Sequence, residues 1–354
     1  MKKVDVIVIG QGLAGTLLAH DLIEARQSIA IIDVNLKASA TRIAAGLINP
    51  VGMKRCIPSY NAQHYFPKAI ERYREIEQKL GVDFLELKPI LRLFANQEVK
   101  HDWQIKFSNN NMDKYISRFF EDNTYSFLND NEGSAEVYPS AHINLSTFLD
   151  NSREYLKTEA LILDERFDFS QFDPIQGVYK SLQSDRVIFC EGFRLKYNPY
   201  FKSLPLSPTK GEVMTIRVPS IEYFDKIISK GVYILPLGNF LYFVGATYNH
   251  TDLTDQLTRE GQSFLRDKIS DILSVEYEVI SSVAGVRPTV KDRKTLIGLH
   301  PKYEKIGVFN GLGTRGALQG PSLSAEFSAI LVGNQKNTQN VDNQRFMRFF
   351  NLYK

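Results

Sequence analysis

Cysteines and long apolar runs are scarce in this sequence, and each scarcity excludes a class of protein. The 354 residues include two cysteines, Cys56 and Cys190, in no CxxC spacing. This excludes a disulfide scaffold and leaves no ligand set for zinc or an iron–sulfur cluster. No apolar run approaches the ~20 residues of a membrane span, and the first apolar run is too short for a signal peptide. We therefore expect a soluble, cytoplasmic protein without a metal site.

An excess of charge of either sign is also missing. Lys and Arg number 43 against 40 Asp and Glu, and the formal net charge is +3. This balance excludes an acidic solubilising protein and a basic nucleic-acid coat. The six histidines form no HxH or HExxH pair, and no GxSxG or Walker motif occurs. The sequence thus lacks the usual motifs of hydrolytic and metal-dependent enzymes.

The start of the chain predicts a dinucleotide-binding unit. The first glycine permits a tight turn, the second lets the backbone approach a pyrophosphate, and the third lets the helix pack on the strand. The helix N-terminus attracts phosphates, and an acid after the second strand accepts hydrogen bonds from a ribose diol while repelling the 2′-phosphate of NADP. The alternative interpretation is a loop that needs the three glycines for its conformation and binds no nucleotide. The elements are a strand Val4–Ile9, Gly10-Gln-Gly12-Leu-Ala-Gly15, a helix to about Arg26, a strand Ile29–Ile32, and Asp33.

A second glycine motif, Gly311-Leu-Gly313-Thr-Arg-Gly316, lies between a predicted strand, Ile306–Asn310, and a small-residue helix, Ala317–Val332. No second strand and acid follow it, so we do not interpret it as a second nucleotide site. A helix N-terminus here would instead stabilise the negative charge of a reduced flavin. The alternative is a terminal helix that only packs on the sheet.

Between these motifs the pattern predicts two interleaved domains, the second built on an antiparallel sheet. Pro67 either kinks the first of the predicted helices or marks its start. The other predicted elements are a helix from about Asn61 to Leu80 ended by Gly81, a strand Ile90–Phe94, an insertion of short helices and loops over 96–136, a helix Asn144–Lys157, a buried strand Arg186–Cys190, and β-rich pieces over 205–286 that bracket one helix, Asp255–Ile272.

Together these blocks resemble the D-amino-acid oxidase and glycine oxidase family of FAD-dependent oxidoreductases. Within that family, two details resemble the FAD oxidase domain of the bifunctional enzyme that makes 5-methylaminomethyl-2-thiouridine in tRNA. They are Ala38-Ser39 with Arg42 and Gly46, and the Gly313–Gly316 motif. The stretch 96–136 is the least similar and is expected to hold substrate-specific structure. The blocks are Val6–Gly15 with Asp33, Ala38–Gly46, Val187–Gly192, Pro205–Glu212, Tyr233–Pro236 with Gly245-Ala-Thr247, Ala284–Pro288, and Gly311–Pro321.

The resemblance and the element order together predict an α/β fold, α+β overall. A Rossmann-type FAD-binding domain (1–80, 140–204 and 283–354) is interleaved with a mostly antiparallel β-sheet substrate domain (81–139 and 205–282). The resemblance implies non-covalent FAD, with the backbone of residues 45–47 beside the isoalloxazine ring and Arg42 on phosphate or ribose, although Arg42 also fits a helix surface. The implied cofactor residues are Gly10, Gly12, Leu13, Ala14, Gly15, Asp33, Arg42, Ala45, Gly46, Leu47, Gly192, Gly313, Thr314, Arg315, Gly316 and Ala317.

Three catalytic residues follow from the same resemblance. Arg287 would bind the substrate carboxylate in a bidentate manner, the alternative being an ion pair with Asp292. Tyr233 would donate its phenol to that carboxylate or close the pocket, the alternative being a core aromatic. Arg315 would place positive charge near the pyrimidine edge of the flavin, or bind substrate.

The implied reaction is oxidation of the C–N bond of a small amino acid or secondary amine. Hydride passes to flavin N5, and the resulting imine is hydrolysed. The electron acceptor is oxygen or another, unknown oxidant. One alternative is removal of a carboxymethyl group from a modified wobble uridine in tRNA, which the sequence pI of about 8.6 fits only mildly. A second alternative is a non-catalytic FAD-binding subunit.

Overall fold

The computed structural model describes residues 1–37, 39–109, 112–334, 341, 345 and 348–350, leaving out the side chain of residue 109. Ala38, the first residue of the second sequence block, lies outside the described residues. Within them no helix is long and apolar enough to cross a bilayer. In chain order the elements are β1 Lys2–Ile9, α1 Leu13–Glu24, β2 Ile29–Ile32, α2 Ala40–Ile43, β3 Leu47–Ile48, β4 Val51–Gly52, β5 Ile57–Pro58, α3 Ala62–Leu80, β6 Leu85–Leu87, β7 Ile90–Leu93, α4 Gln97–Asn109, β8 Ile116–Phe120, β9 Ser134–Val137, β10 Ala141–Ile143, α5 Leu145–Glu159, β11 Leu161–Leu163, β12 Phe172–Asp173, β13 Val178–Tyr179, β14 Leu182–Phe189, β15 Thr209–Arg217, β16 Ile227–Ser229, β17 Tyr233–Gly238, β18 Leu241–Gly245, α6 Arg259–Ile272, β19 Glu278–Arg287, β20 Leu296–Leu299, β21 Ile306–Asn310 and α7 Gly316–Leu331.

The first sheet confirms the predicted Rossmann-type unit. Its parallel strands lie in the order β11, β2, β1, β14, β21, with β20 antiparallel to β21 and β12 and β13 extending one edge beside β14. In register, Ile9 lies between Ile32 and Phe189. The carboxyl ends of β1, β2, β14 and β21 therefore meet at one edge, where ligands bind in folds of this kind.

Helices α1 and α7 cross on one face of this sheet. Nine residues of α1 are buried, because small and apolar side chains cover most of its surface. A Cβ on Gly320 of α7 would lie 2.9 Å from Cδ1 of Leu17, so the glycine permits the close crossing. The hydroxyl of Ser324 donates to Asp21, and Arg72 of α3 pairs with the same carboxylate at 2.7 Å. These contacts hold α1 and α7 side by side and running in the same direction.

The second sheet has the order β19, β15, β18, β17, β16, β7, β9, β8 and is antiparallel except between β16 and β7. Strand residues alternate between its two faces. One face packs on α6, through apolar residues such as Met214, Ile234 and Leu265. The opposite face bears Val213, Tyr233 and Arg287 and contributes to the candidate site.

Three expectations about the elements need correction. Residues 96–136 are not only short helices and loops: α4 has 13 residues, and β8 and β9 add two strands to the second sheet. Their weak periodicity reflects pairing at a sheet edge. Helix α6 begins at Arg259, not Asp255, because Thr258 caps it by accepting a hydrogen bond from the Gly261 N–H. Pro67 lies inside α3 and does not mark its start.

Candidate active site

The first glycine turn has the close contacts that its sequence predicts. Gly10 has φ +97°, and a Cβ at Gly15 would lie 1.9 Å from the Gly10 carbonyl oxygen, so no larger residue fits there. Gly12 precedes α1 without a side-chain cap. The hydroxyl of Thr41, which sequence reasoning missed, accepts a hydrogen bond from the Leu13 N–H at 3.1 Å. The start of α1 is thus held by backbone geometry and by α2.

Asp33 lies directly after β2, at the same edge. Its carboxylate accepts hydrogen bonds from the Gln11 N–H at 2.9 Å and the Asn35 N–H at 2.6 Å. Arg153 of α5, also missed, has a buried guanidinium that donates to Gln11 Oε1 and Asp164 and lies 3.8 Å from Asp33. The carboxylate is therefore fixed against the glycine turn.

Arg42 is directed along this edge toward acidic and amide groups. Its Nη2 atom pairs with Asp150 at 2.5 Å and donates to Asn35 at 3.2 Å. Its Ser39 neighbour caps α2 by accepting from the Arg42 N–H. An Arg42 bound to phosphate or ribose would have to share its guanidinium with Asp150.

The segment after α2 is tied to β10. The Gly46 carbonyl accepts from the Ile143 N–H at 2.9 Å, and a Cβ on Gly46 would lie 2.0 Å from the Ile143 carbonyl oxygen. Leu47 pairs with His142, whose pKa is lowered to about 4 by burial. Ala45, Gly46 and Leu47 therefore present main chain at a fixed position.

The second glycine motif adjoins the first. Asn310 at the end of β21 donates to the Gly192 carbonyl at 3.0 Å. After one 3-10 turn, Gly313–Arg315, a Cβ on Gly316 would lie 3.0 Å from Leu13 of α1. Ala317 is buried, whereas Thr314 and Arg315 are exposed. Both helix N-termini therefore face the same edge, as the sequence motifs predict for one shared ligand.

A buried carboxylate, Glu191, also lies at this edge and was missed by sequence reasoning. It follows β14 and accepts a hydrogen bond from Asn198 at 2.7 Å. Burial raises its pKa to about 7. A carboxyl group with this pKa is partly protonated at neutral pH, which reduces its repulsion of an anionic ligand nearby.

Arg287 ends β19, on the face of the second sheet that points away from α6. Its guanidinium lies over Gly211, donates to the Thr247 carbonyl at 3.2 Å and stands 4.8 Å from the centre of the Tyr248 ring. Burial lowers its pKa. Within the described residues it has no carboxylate partner. The alternative pairing with Asp292 is wrong, because Asp292 binds Arg345 at 2.8 Å.

Tyr233 shares this face. Its hydroxyl accepts a hydrogen bond from Asn49 Nδ2 at 3.4 Å, and burial raises its pKa. The phenol is therefore neutral at physiological pH and can donate its own proton. Asn49 follows the Ala45–Leu47 segment, and Ile43 of α2 would meet a Cβ on Gly285 of β19 at 2.8 Å, so the segment after α2 lies against this face of the second sheet. The structure thus brings Tyr233 close to the Ala45–Leu47 segment.

Comparison with known proteins agrees with this architecture. The family model for "FAD dependent oxidoreductase" matches residues 5–329. A glycine oxidase from Bacillus licheniformis is 22% identical over 96% of this chain and 95% of its own. The tRNA 5-methylaminomethyl-2-thiouridine biosynthesis bifunctional protein MnmC of Nitrosospira multiformis is 28% identical over 44% of this chain and 27% of its own. The crystal structure of glycine oxidase from Geobacillus kaustophilus superimposes with a TM-score of 0.81 at 19% identity, covering 98% of both chains.

Proposed function

Because the chain belongs to the DAO family of FAD-dependent oxidoreductases, we propose that it oxidises the C–N bond of a small amino acid or secondary amine that bears a carboxylate. The observation that supports this most is the Arg287 guanidinium, which is mostly withdrawn from water and has no carboxylate partner in the described part of the chain. A planar guanidinium binds a carboxylate through two parallel hydrogen bonds. A bound substrate carboxylate would compensate the cost of burying this charge.

The residues at the edge of the first sheet fit FAD. Gly10 and Gly15 pack against protein backbone in the tight turn, and Gly12 has no side chain to prevent an extended phosphate group from approaching the start of α1. Asp33 offers a fixed carboxylate to a ribose diol. We assign the adenosine diphosphate part to this turn and the flavin part to residues 45–47 and 313–317. We also propose that the chain passes between the two domains after residues 80, 139, 204 and 282. The last of these boundaries falls inside β19.

FAD and the side chains have separate roles in the proposed reaction. FAD, when bound, supplies the acceptor for a hydride from the substrate α-carbon. Arg287 holds the carboxylate, and Tyr233, neutral because burial raises its pKa, donates a hydrogen bond without taking a proton. The substrate nitrogen binds unprotonated on this route, so no side-chain base is required. Loss of the hydride and of the N–H proton gives an imine, and water then breaks the C–N bond to release an amine and a 2-oxo acid.

Arg315 has a separate role in the proposal. It stands at the exposed start of α7, beside the start of α1. A helix N-terminus and a guanidinium both favour negative charge. We assign Arg315 to the electrostatic stabilisation of the electron-rich ring, or to substrate entry on that side.

An anaerobic screen tests the function. Purified holoprotein is mixed with glycine, N-methylglycine, D-amino acids and other N-alkyl amino acids, and the visible absorbance of the flavin is followed. Bleaching by an amino carboxylate, with release of a 2-oxo acid, supports the proposal. Reoxidation in air with formation of hydrogen peroxide would identify oxygen as the acceptor. A chain that only carries FAD as a subunit would bind the cofactor and show no bleaching with any substrate.

Oxidation of a modified tRNA is the second candidate. The partial match to the tRNA-modifying protein favours it, because that protein's name includes a uridine with a methylaminomethyl arm. Including tRNA that carries carboxymethylaminomethyl uridine in the same screen separates the two. Bleaching by this tRNA and by no free amino acid would favour the second candidate.

A further inference from the structure

Arg92 of β7 is a second guanidinium placed on the site's face of the second sheet. Its Nη1 atom lies 3.4 Å from the Ser229 carbonyl oxygen. Its Nε atom is inaccessible to water and has no hydrogen-bond partner in the described part of the chain. Burial lowers the pKa of Arg92, and the ionisable groups that face it are Tyr233 and Cys56.

Two other arginines with buried guanidinium groups are neutralised by acids. Arg72 pairs with Asp21, Glu24 and Glu75, and Arg153 pairs with Asp164. Within the described residues, Arg92 has no such carboxylate. Burying a charge without a partner destabilises a fold, and replacing the charged residue with a neutral one removes that desolvation cost. Arg92 shares this property with Arg287, which suggests the same kind of role.

The register of the sheet places Arg92 and Tyr233 side by side. Arg92 pairs with Ser229 of β16, and Ser229 pairs with Tyr233 of β17. Residues paired across strands point to the same face. Tyr233 also lies near Tyr248, whose ring covers Arg287. The two tyrosines therefore stand between two guanidinium groups that lack acids.

We propose that Arg92 binds a second carboxylate of the substrate, so that the preferred substrate is an amino acid or secondary amine with two carboxylate groups. One carboxylate binds Arg287 and the other binds Arg92, with Tyr233 between them. This inference rests on the proposed function. It makes Arg92 a specificity-determining residue for the length and charge of the substrate.

The test compares two amines of similar size on the holoenzyme under anaerobic conditions. Iminodiacetate has a second carboxylate, and N-ethylglycine has an uncharged arm in its place. We expect iminodiacetate to reduce the flavin with the higher kcat/KM. Arg92→Gln should lower that value about 30-fold or more, the cost of removing one partner of a buried charge pair. The value for N-ethylglycine should change little.

Thermal denaturation separates binding from a structural role. Arg92→Gln should melt at or above the temperature of the wild type, because it removes an unpaired buried charge. Arg72→Gln is the control, and its melting temperature should be lower than that of the wild type because it leaves Asp21 without its ion-pair partner. A lower Tm for Arg92→Gln, or an equal loss of activity with both amines, would overturn the inference.

Dicarboxylate binding distinguishes this inference from the proposed function. Glutarate, which cannot be oxidised at a C–N bond, is titrated into the wild type and Arg92→Gln, and butyrate is the monoanion control. If neither amine reduces the flavin but glutarate binds with an Arg92-dependent affinity, the proposed function fails and the anion site is supported. If both amines are oxidised equally well and glutarate binds both proteins alike, the function stands and the role of Arg92 is refuted.

Discussion

The substitution Gly211→Ala displaces the Arg287 guanidinium without removing its charge. A Cβ on Gly211 would lie 2.2, 2.3 and 2.4 Å from Nη2, Nη1 and Cζ of Arg287. To regain ordinary contact distances the guanidinium must move by about 1–2 Å. The backbone of β15 has no need to move, because the end of the arginine side chain is free to shift.

The expected magnitude follows from this displacement. A shift of about 1 Å in a positioning group can lower a rate about 100-fold, which corresponds to about 2.7 kcal/mol of transition-state stabilisation. We therefore expect kcat/KM for an amino-carboxylate substrate to fall about 100-fold. Stability should change little, because alanine is entropically less costly than glycine in a strand.

Anaerobic stopped-flow reduction of the flavin measures kcat/KM, and thermal denaturation confirms folding. Gly52→Ala is the matched control, because a Cβ there would meet atoms of Ile57 at an ordinary 3.4–3.6 Å. This control should retain wild-type kinetics. A folded Gly211→Ala enzyme with unchanged kcat/KM would show that the guanidinium does not bind the substrate carboxylate.

Three further predictions concern the cofactor and the core. Asp33→Ala should weaken FAD binding to the apoprotein by about 1.5–3 kcal/mol, the value of a charge-assisted hydrogen bond. The control Asp5→Ala removes a carboxylate that accepts a backbone hydrogen bond from Ser28 in the same way, and it should bind FAD normally. Equal FAD affinities of Asp33→Ala and the wild type would disprove the assignment of Asp33. Arg315→Ala should lower the reduction potential of the flavin by about 20–60 mV, because one charge near the ring contributes about 1–3 kcal/mol. Spectroelectrochemical titration measures this potential, and an unchanged value would place Arg315 away from the ring. The pKa of His20 is lowered from 6.5 to about 3 by burial, so the unfolded state binds a proton that the folded state rejects, and stability falls as pH drops below 6.5. At pH 5 the free energy of unfolding should be lower by about 2 kcal/mol for this reason. Denaturant titration should show that His20→Gln lacks this loss. An equal loss of unfolding free energy in both proteins would contradict the prediction.

The local motifs were predictable because neighbouring residues determine them. The order strand, glycine turn, helix, strand at the start of the chain depends on spacing alone, and β1, α1 and β2 match it closely. The helix ended by Gly81 was predictable for the same reason, since that glycine has φ +68°. The structure and the family match confirm the interleaved α/β arrangement.

Residues whose roles depend on distant pairing could not be predicted. Arg92 lies beside Tyr233 only because β7 pairs with β16, from a segment more than a hundred residues later. Arg153 reaches Gln11 across the sheet edge from α5. In each case the sequence shows an arginine on a strand or a helix, with no local signal that distinguishes it from a surface charge. The same limit explains the missed strands β8 and β9.

The most direct test of the central claim is the reaction of the holoenzyme with amino carboxylates in the presence and absence of Arg287. The wild type and Arg287→Ala are each loaded with FAD, checked for equal spectra, and mixed anaerobically with the best substrate of the screen. We expect bleaching of the wild-type flavin by this substrate. Reduction of the flavin in Arg287→Ala should be about 30-fold to several thousand-fold less efficient, while dithionite should reduce both proteins. Equally efficient reduction of both proteins would contradict the role of Arg287. A wild-type flavin that dithionite bleaches, but that no amino acid, N-alkyl amino acid or modified tRNA bleaches, would contradict the proposed oxidation.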